Sequence, residues 1–144
     1  MLMNVLGVLV AAATANAAPA PVSTAIDAYH SALEARSVEQ LAAVFDPDLL
    51  VLEGTHKNAG WVDYRDNHIG PEMKEWSGFK VVSTRITDSV VAGELAYVVT
   101  ESRYRITSKG KAVTVEAAET LVLRMTEGRW RIRHIHYSGK KVEP

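Results

Sequence analysis

The 144-residue sequence contains no cysteine. Its absence removes a disulfide framework, a thiol nucleophile and any cysteine-type zinc site, so a metal would have to be held by histidine and carboxylates. An excess of one charge is also missing: 16 Lys and Arg stand against 17 Asp and Glu, a formal net charge of −1, with both signs interspersed. Without a basic stripe for a phosphate backbone or a like-charge block for a membrane surface, nucleic acid is not an expected partner. The sequence has no phosphate-cradling glycine loop, dinucleotide fingerprint, HExxH or Ser/His/Asp order either, which disfavours nucleotide and acyl-enzyme chemistry. What remains, 47% hydrophobic and 23% charged, fits one globular domain with a single core.

Charge is locally absent at the N-terminus. Met1 to Ile26 carries no ionisable side chain, Val5 to Ala13 is apolar, and Ala15-Asn16-Ala17 has the small-x-small form of a signal-peptidase site. We expect a signal peptide over residues 1–18, a linker over 19–21 and one domain over 22–144, exported to the periplasm or secreted. The apolar run is too short to span a bilayer and is followed by Pro19 and Pro21, so stable membrane insertion is not expected.

From there helices come first and strands afterwards. Val22, Ile26, Tyr29 and Leu33 recur at helical spacing, with Thr24 and Asp27 as a capping pair and His30 at the helix edge. Ser37 with Gln40 caps a second helix that carries Val38, Leu41, Val44 and Phe45. A short strand over Leu49–Glu53 and a helix over Gly60–His68, closed by Gly70-Pro71, follow. The remainder reads as four long strands: Phe79–Asp88, Leu95–Thr107, Lys111–Thr126 and Arg129–Ser138. They are rich in Val, Ile, Thr, Tyr and Trp and are separated by turns at Gly93, Lys109-Gly110 and Glu127-Gly128. The expected class is α+β, helices packed on a meandering antiparallel sheet.

The turns set a register. With two-residue loops at Lys109-Gly110 and Glu127-Gly128, Thr100 lies opposite Glu119, and Met125, Leu123, Leu121 and Glu119 face Trp130, Ile132, His134 and His136. On strand periodicity His134 and His136 share the face of Trp130 and Ile132, while Arg131, Arg133, Ile135 and Tyr137 point the other way. His136 would then face the Glu119 carboxylate on an apolar face that also carries His134 and Tyr104. Such a pair supports general acid or base chemistry near neutral pH, with the carboxylate fixing the imidazole tautomer. It serves equally as a satisfied structural pair. The candidate catalytic residues are His136, His134 and Glu119.

A second constellation comes from the middle of the chain. Trp61, Tyr64 and His68 fall at i, i+3 and i+7 and share a helical face turned toward the sheet. With Tyr104 they are the candidate ligand-binding residues, Tyr64 or Tyr104 offering a hydroxyl to a developing enolate or carbonyl oxygen. Trp61, Trp76 and Met73 would close the open end of the pocket. No cofactor is expected. The alternative is a zinc, copper or iron site assembled from His56, His68, His134, His136 and Glu53. His56, in a Thr-His-Lys-Asn segment, reads also as a plain loop residue.

The element order, with Glu119-Thr120-Leu121-Val122-Leu123, Gly128-Arg129-Trp130-Arg131-Ile132 and the closing His134-Ile135-His136-Tyr137-Ser138-Gly139, resembles the nuclear transport factor 2-like superfamily. It is most similar to the SnoaL-like branch and to the association (hub) domain of calcium/calmodulin-dependent kinase II, whose Glu and two His match Glu119, His134 and His136. The resemblance implies a cone-shaped, cystatin-like α+β fold, its curved sheet wrapped around the helices and leaving a pocket, in a homodimer or larger ring. Ketosteroid isomerases, scytalone dehydratase, SnoaL-type cyclases and assembly modules share that cone, so the fold does not choose an activity. The expectation is a small-molecule pocket protein with cofactor-free isomerase or dehydratase-type activity; the alternatives are a non-catalytic dimerisation module, using the Arg and Glu ladder of the outer sheet face, and a metal-binding protein. The sequence alone does not choose between an enzyme and a binding module.

Overall fold

The computed structural model describes residues 21–143; the expected signal segment lies outside them. Helix α1 (Val22–Ala35) starts directly after Pro21, whose carbonyl accepts the Thr24 amide at 3.0 Å. Thr24 and Asp27 therefore sit inside the helix rather than capping it. Its buried stripe is wider than the sequence pattern implies and includes His30 beside Tyr29 and Leu33. The helix ends at Arg36 in a left-handed conformation, where the Arg36 and Ser37 amides return to Leu33 and Ala32. Helix α2 (Val38–Val44) begins at Ser37, whose hydroxyl accepts the Gln40 amide at 3.2 Å as expected.

Strand β1 (Phe45–Glu53) follows with no loop and turns back at Gly54 into β2 (His56–Ala59), a segment the sequence had presented as loop. Helix α3 (Trp61–Tyr64) does not stop before Gly70-Pro71. It runs through one π-helical turn, Arg65–Ile69, into α4 (Gly70–Glu75). The Gly70 amide bonds to the Arg65 carbonyl five residues back, and a Cβ on Gly70 would lie 2.2 Å from that oxygen, so only glycine fits. Pro71, which has no N–H to donate, is tolerated at the start of α4 because the wider turn sits just before it.

Four long strands complete the chain: β3 (Trp76–Ala92), β4 (Leu95–Ser108), β5 (Lys111–Thr126) and β6 (Arg129–Val142). The sheet order is β2-β1-β6-β5-β4-β3, antiparallel throughout except that β1 and β6 run parallel. Thr100 lies opposite Glu119 as the Lys109-Gly110 turn predicted. In the last hairpin Met125 faces Trp130 and Leu123 faces Ile132, but the register then slips: Val122 pairs with His134, leaving Arg133 as an extra residue. A bulge of one residue inverts every side chain beyond it. Ile135 and Tyr137 therefore turn toward the helices, and Glu119 lies opposite Tyr137 instead of His136.

Further register shifts at Val82 and Thr87 bend β3, and the curved sheet closes on α1 and α2 around Leu41, Phe45, Leu49, Val98, Leu121, Leu123, Ile132 and Ile135, all fully or nearly fully buried. Burying a side chain of this size contributes roughly 1.5–3 kcal/mol each before entropy is counted.

Candidate functional site

The inverted register empties the inner face of β6 of histidine. His134, half-buried, points outward with its Nδ1 3.0 Å from the Leu50 carbonyl on β1, and His136 is exposed beside Thr120 and Leu52. Neither lines the inner cavity, so the expected pairing of His136 with Glu119 is replaced.

The cavity, about 490 Å³, is bounded by α1, the π-turn helix and the inner face of the sheet. Leu33, Val51, Ile69, Phe79, Ile106, Val115 and Ile135 supply apolar wall, and Tyr29, Tyr64, Tyr104 and Tyr137 turn their rings into it. Glu119 sits among them at 2% exposure. Its carboxylate accepts from the Tyr104 hydroxyl at 2.7 Å, the Tyr29 hydroxyl at 3.2 Å and the Thr100 hydroxyl at 3.4 Å. Burial pushes the carboxyl pKa up, against the pull of those three donors. Three donors thus occupy three of the roughly four acceptor sites of the carboxylate.

The tyrosines divide into two kinds. Burial and the neighbouring Glu119 raise Tyr29 and Tyr104, which keeps both as neutral donors to the carboxylate. Tyr64, raised first by burial, and Tyr137, pushed up to about 12 mainly by burial, make no side-chain hydrogen bond among the described residues. Their hydroxyls are free for a ligand. The Tyr137 ring lies over Gly139, where a Cβ would come within 2.2 Å of its hydroxyl oxygen.

At the rim stands His68, delivered by the π-turn. Its Nε2 faces Glu53 at 3.0 Å and Glu72 at 3.5 Å. Asn58 donates to Asp63, which turns the Asn58 Oδ1 to the His68 Nδ1 at 2.8 Å. Hydrogen bonds to Glu53 and Glu72 raise His68 to about 9, and the same contact lowers Glu53. His68 is thus an imidazolium at neutral pH with both N–H groups engaged. It organises the rim and has no free base to offer.

Trp61 packs on Phe45 and Tyr64, with centroids 5.3 and 6.5 Å away, and does not reach the cavity. The helical face that carries Tyr64 and His68 is as predicted, their rings 5.1 Å apart. Met73 is core, and Trp76, stacked on Phe79, lines the cavity. The alternative metal set does not assemble: His56 approaches His68 at 5.4 Å between ring centroids, but His134 and His136 are on the opposite sheet face. Among the described residues no group of three or more His, Asp or Glu is placed to hold a metal ion. Tyr29, Glu72 and Tyr137 carry no site signal in the sequence: Tyr29 reads as a core position, and unbroken alternation puts Tyr137 on the outer face.

The element order, N-terminal helices packed on a curved antiparallel sheet, agrees with the family comparison. The profile of the SnoaL-like domain matches residues 22–140. The chain belongs to the SnoaL-like domain family. Solved structures with the same fold as this SnoaL-like chain include a nuclear transport factor 2-like superfamily protein from Salmonella enterica serovar Typhimurium, 18% identical, TM-score 0.72, covering 85% of this chain and 91% of that one. A candidate ketosteroid isomerase from Shewanella frigidimarina is 23% identical, TM-score 0.69, over 80% and 92% of the two chains. A candidate dehydratase of the same superfamily from Streptomyces avermitilis is 18% identical, TM-score 0.72, over 83% and 93%. At these identities the likeness is one of fold. No curated protein matches the sequence. Among the described residues no helix is long and apolar enough to cross a membrane.

Proposed function

We propose that this SnoaL-like protein binds a small molecule in the inner cavity and exchanges a proton with it through Glu119, in cofactor-free isomerase or dehydratase-type chemistry. The observation that carries the reading is the placement of Glu119: a buried carboxyl with a raised pKa that lines the inner cavity beside four tyrosines, while the charged side chains of the lining, Glu53, His68, Glu72, Glu75, Lys140 and Lys141, come from other parts of the wall. Elevation toward neutral pH suits a carboxyl for taking a proton from one atom and returning it to another. The Tyr64 and Tyr137 hydroxyls supply hydrogen bonds for an oxygen that gains charge while the proton is on Glu119. Tyr137 replaces Tyr104 in this role, because the Tyr104 proton is directed at Glu119. The neighbours described as a ketosteroid isomerase and a dehydratase are consistent with such chemistry and do not select a substrate. The charge-free N-terminus supports export to the periplasm or the medium.

The test is a panel of cyclic ketones and hydroxyketones, with binding followed by Trp76 fluorescence and proton exchange followed by deuterium incorporation beside the carbonyl. Wild-type protein is expected to bind and to exchange. Glu119→Gln should bind and not exchange; exchange undiminished in Glu119→Gln would refute the catalytic role.

A second reading has its own support. The outer sheet face carries a ladder of ion pairs, Arg85 with Glu101 at 2.5 Å, Arg103 with Glu116 at 2.8 Å and Lys140 with Glu116 at 3.6 Å, over a floor of Ala118 and Ser138. A small-residue floor with both signs of charge around it suits a homodimer, in which the cavity would be a binding site only. Sedimentation velocity across a concentration series, with Arg103→Glu as the disrupting change, tests it; a monomer at all concentrations refutes it.

A further inference from the structure

Helix α1 turns a second titratable group toward Glu119. The Nε2 of His30 lies 3.2 Å from the Tyr104 hydroxyl, whose own distance to Glu119 Oε2 is 2.7 Å. His30 is 8% exposed, and its ring meets Tyr104 edge-on at 5.9 Å between centroids. Tyr104 has one proton to give, and an ionised carboxylate can only accept. The phenol therefore donates to Glu119, and the contact from the other side must be His30 Nε2–H donating to the phenol oxygen. This order fixes the His30 tautomer.

We propose that His30 is a positioning residue of the acid/base site: through Tyr104 it aims a hydroxyl proton at Glu119 and so sets how readily the carboxyl takes up a proton. The inference rests on the reading that Glu119 is the proton-exchanging group. Each bond in such a chain polarises the next, so a donor on the far side of Tyr104 strengthens the hydrogen bond on the near side. The groups facing His30 are Tyr104 from β4 and, from its own helix, Tyr29, Asp27 and Glu34, the last paired with Lys80 of β3 at 3.6 Å. Burial lowers the His30 pKa against the opposing pull of Asp27 and Glu34. The imidazole is neutral at neutral pH, and its single N–H is the one committed to Tyr104.

The test is an NMR titration of the full chain, without ligand and with carbon-13 at the glutamate carboxyls, the Glu119 signal being assigned by its loss in Glu119→Gln. Tyr104→Phe should raise the Glu119 midpoint by on the order of one pH unit, the effect of one charge-assisted hydrogen bond. His30→Leu should raise it less, His30→Gln should restore it by placing an amide N–H where Nε2 was, and His30→Leu should add nothing once Tyr104 is Phe. A midpoint unmoved by His30→Leu, or moved equally with and without Tyr104, overturns the proposal. If His30→Leu does not fold, His30→Asn, too short to reach Tyr104, replaces it; equal midpoints for Asn and Gln overturn the proposal. Because no ligand is used, failure here leaves the exchange assay of the proposed function to be judged separately.

Discussion

Glu119 and Tyr137 are register partners across β5 and β6, and both side chains line the inner cavity. One extra residue, Arg133, makes them so, and the same slip sends His134 and His136 to the outer face. Both histidines should accordingly be dispensable to the cavity. His136→Ala is expected to change stability by no more than about 0.5 kcal/mol, as for an exposed position. His134→Ala, which loses the contact with the Leu50 carbonyl, should cost about 1 kcal/mol. Urea unfolding measures both, and ligand binding should match wild type; a loss of binding in either variant would contradict the assigned faces.

Much of this architecture can be read from the chain, and the places where reading fails have physical causes. The two-residue turn at Lys109-Gly110 fixes Thr100 opposite Glu119, and the helical spacing of Tyr64 and His68 places their rings together. The alternation in β6 does change phase, from Trp130 and Ile132 to Ile135 and Tyr137 across the successive polar residues Arg133 and His134, but a strict period of two carries the first phase through and puts the histidines inside. The parallel pairing of β1 with β6 brings together residues about 84 apart and leaves no local signal. Gly70-Pro71 reads as a helix stop, whereas in the fold it accommodates a π turn. His30 appears peripheral because its buried partner, Tyr104, lies 74 residues away.

Glu119→Gln should stabilise the protein above acid pH. A carboxyl whose pKa is higher in the folded than in the unfolded chain contributes stability that is fully present below the unfolded value, near 4.3, and is lost as pH rises through the folded value. Glutamine does not titrate. The melting temperature of Glu119→Gln minus that of wild type should therefore widen as pH increases, the stability cost of burying an ionisable carboxyl. A gap constant with pH would show that Glu119 is not perturbed.

Gly70 and Gly139 are constrained by different neighbours, and their substitutions should behave differently. Gly70→Ala drives a methyl into the Arg65 carbonyl, a backbone atom that cannot swing away, so a loss of about 2–3 kcal/mol is expected, with His68 displaced from Glu53. Gly139→Ala meets the end of the Tyr137 side chain instead. It should cost about 1 kcal/mol and move the Tyr137 hydroxyl, and the cost should largely vanish in a Tyr137→Leu background. A double-mutant cycle by denaturant unfolding reads the coupling; additive effects would mean that the two residues do not contact.

His68 should stabilise the fold over a defined pH window. An unfolded histidine titrates near 6.5, and His68 in the fold titrates near 9 because Glu53 and Glu72 bond its Nε2–H. Its contribution is fully present below 6.5 and is lost as pH rises through 9. Glu53 acts in the opposite sense: its lowered pKa gives stability that is present above about 4.5 and is lost as pH falls through the folded value. Wild type should thus exceed His68→Gln in melting temperature most between about pH 4.5 and 6.5, with the difference declining toward pH 9 and also at strong acid. The Glu53 and Glu72 side chains are about half exposed, at 46% and 49%, so added salt should shrink the difference. A difference that stayed flat from pH 6.5 to 9 would mean that His68 is neutral in the fold, leaving Nε2 as an acceptor beside two carboxylates, an arrangement without a shared proton that should drive Glu53 away from it.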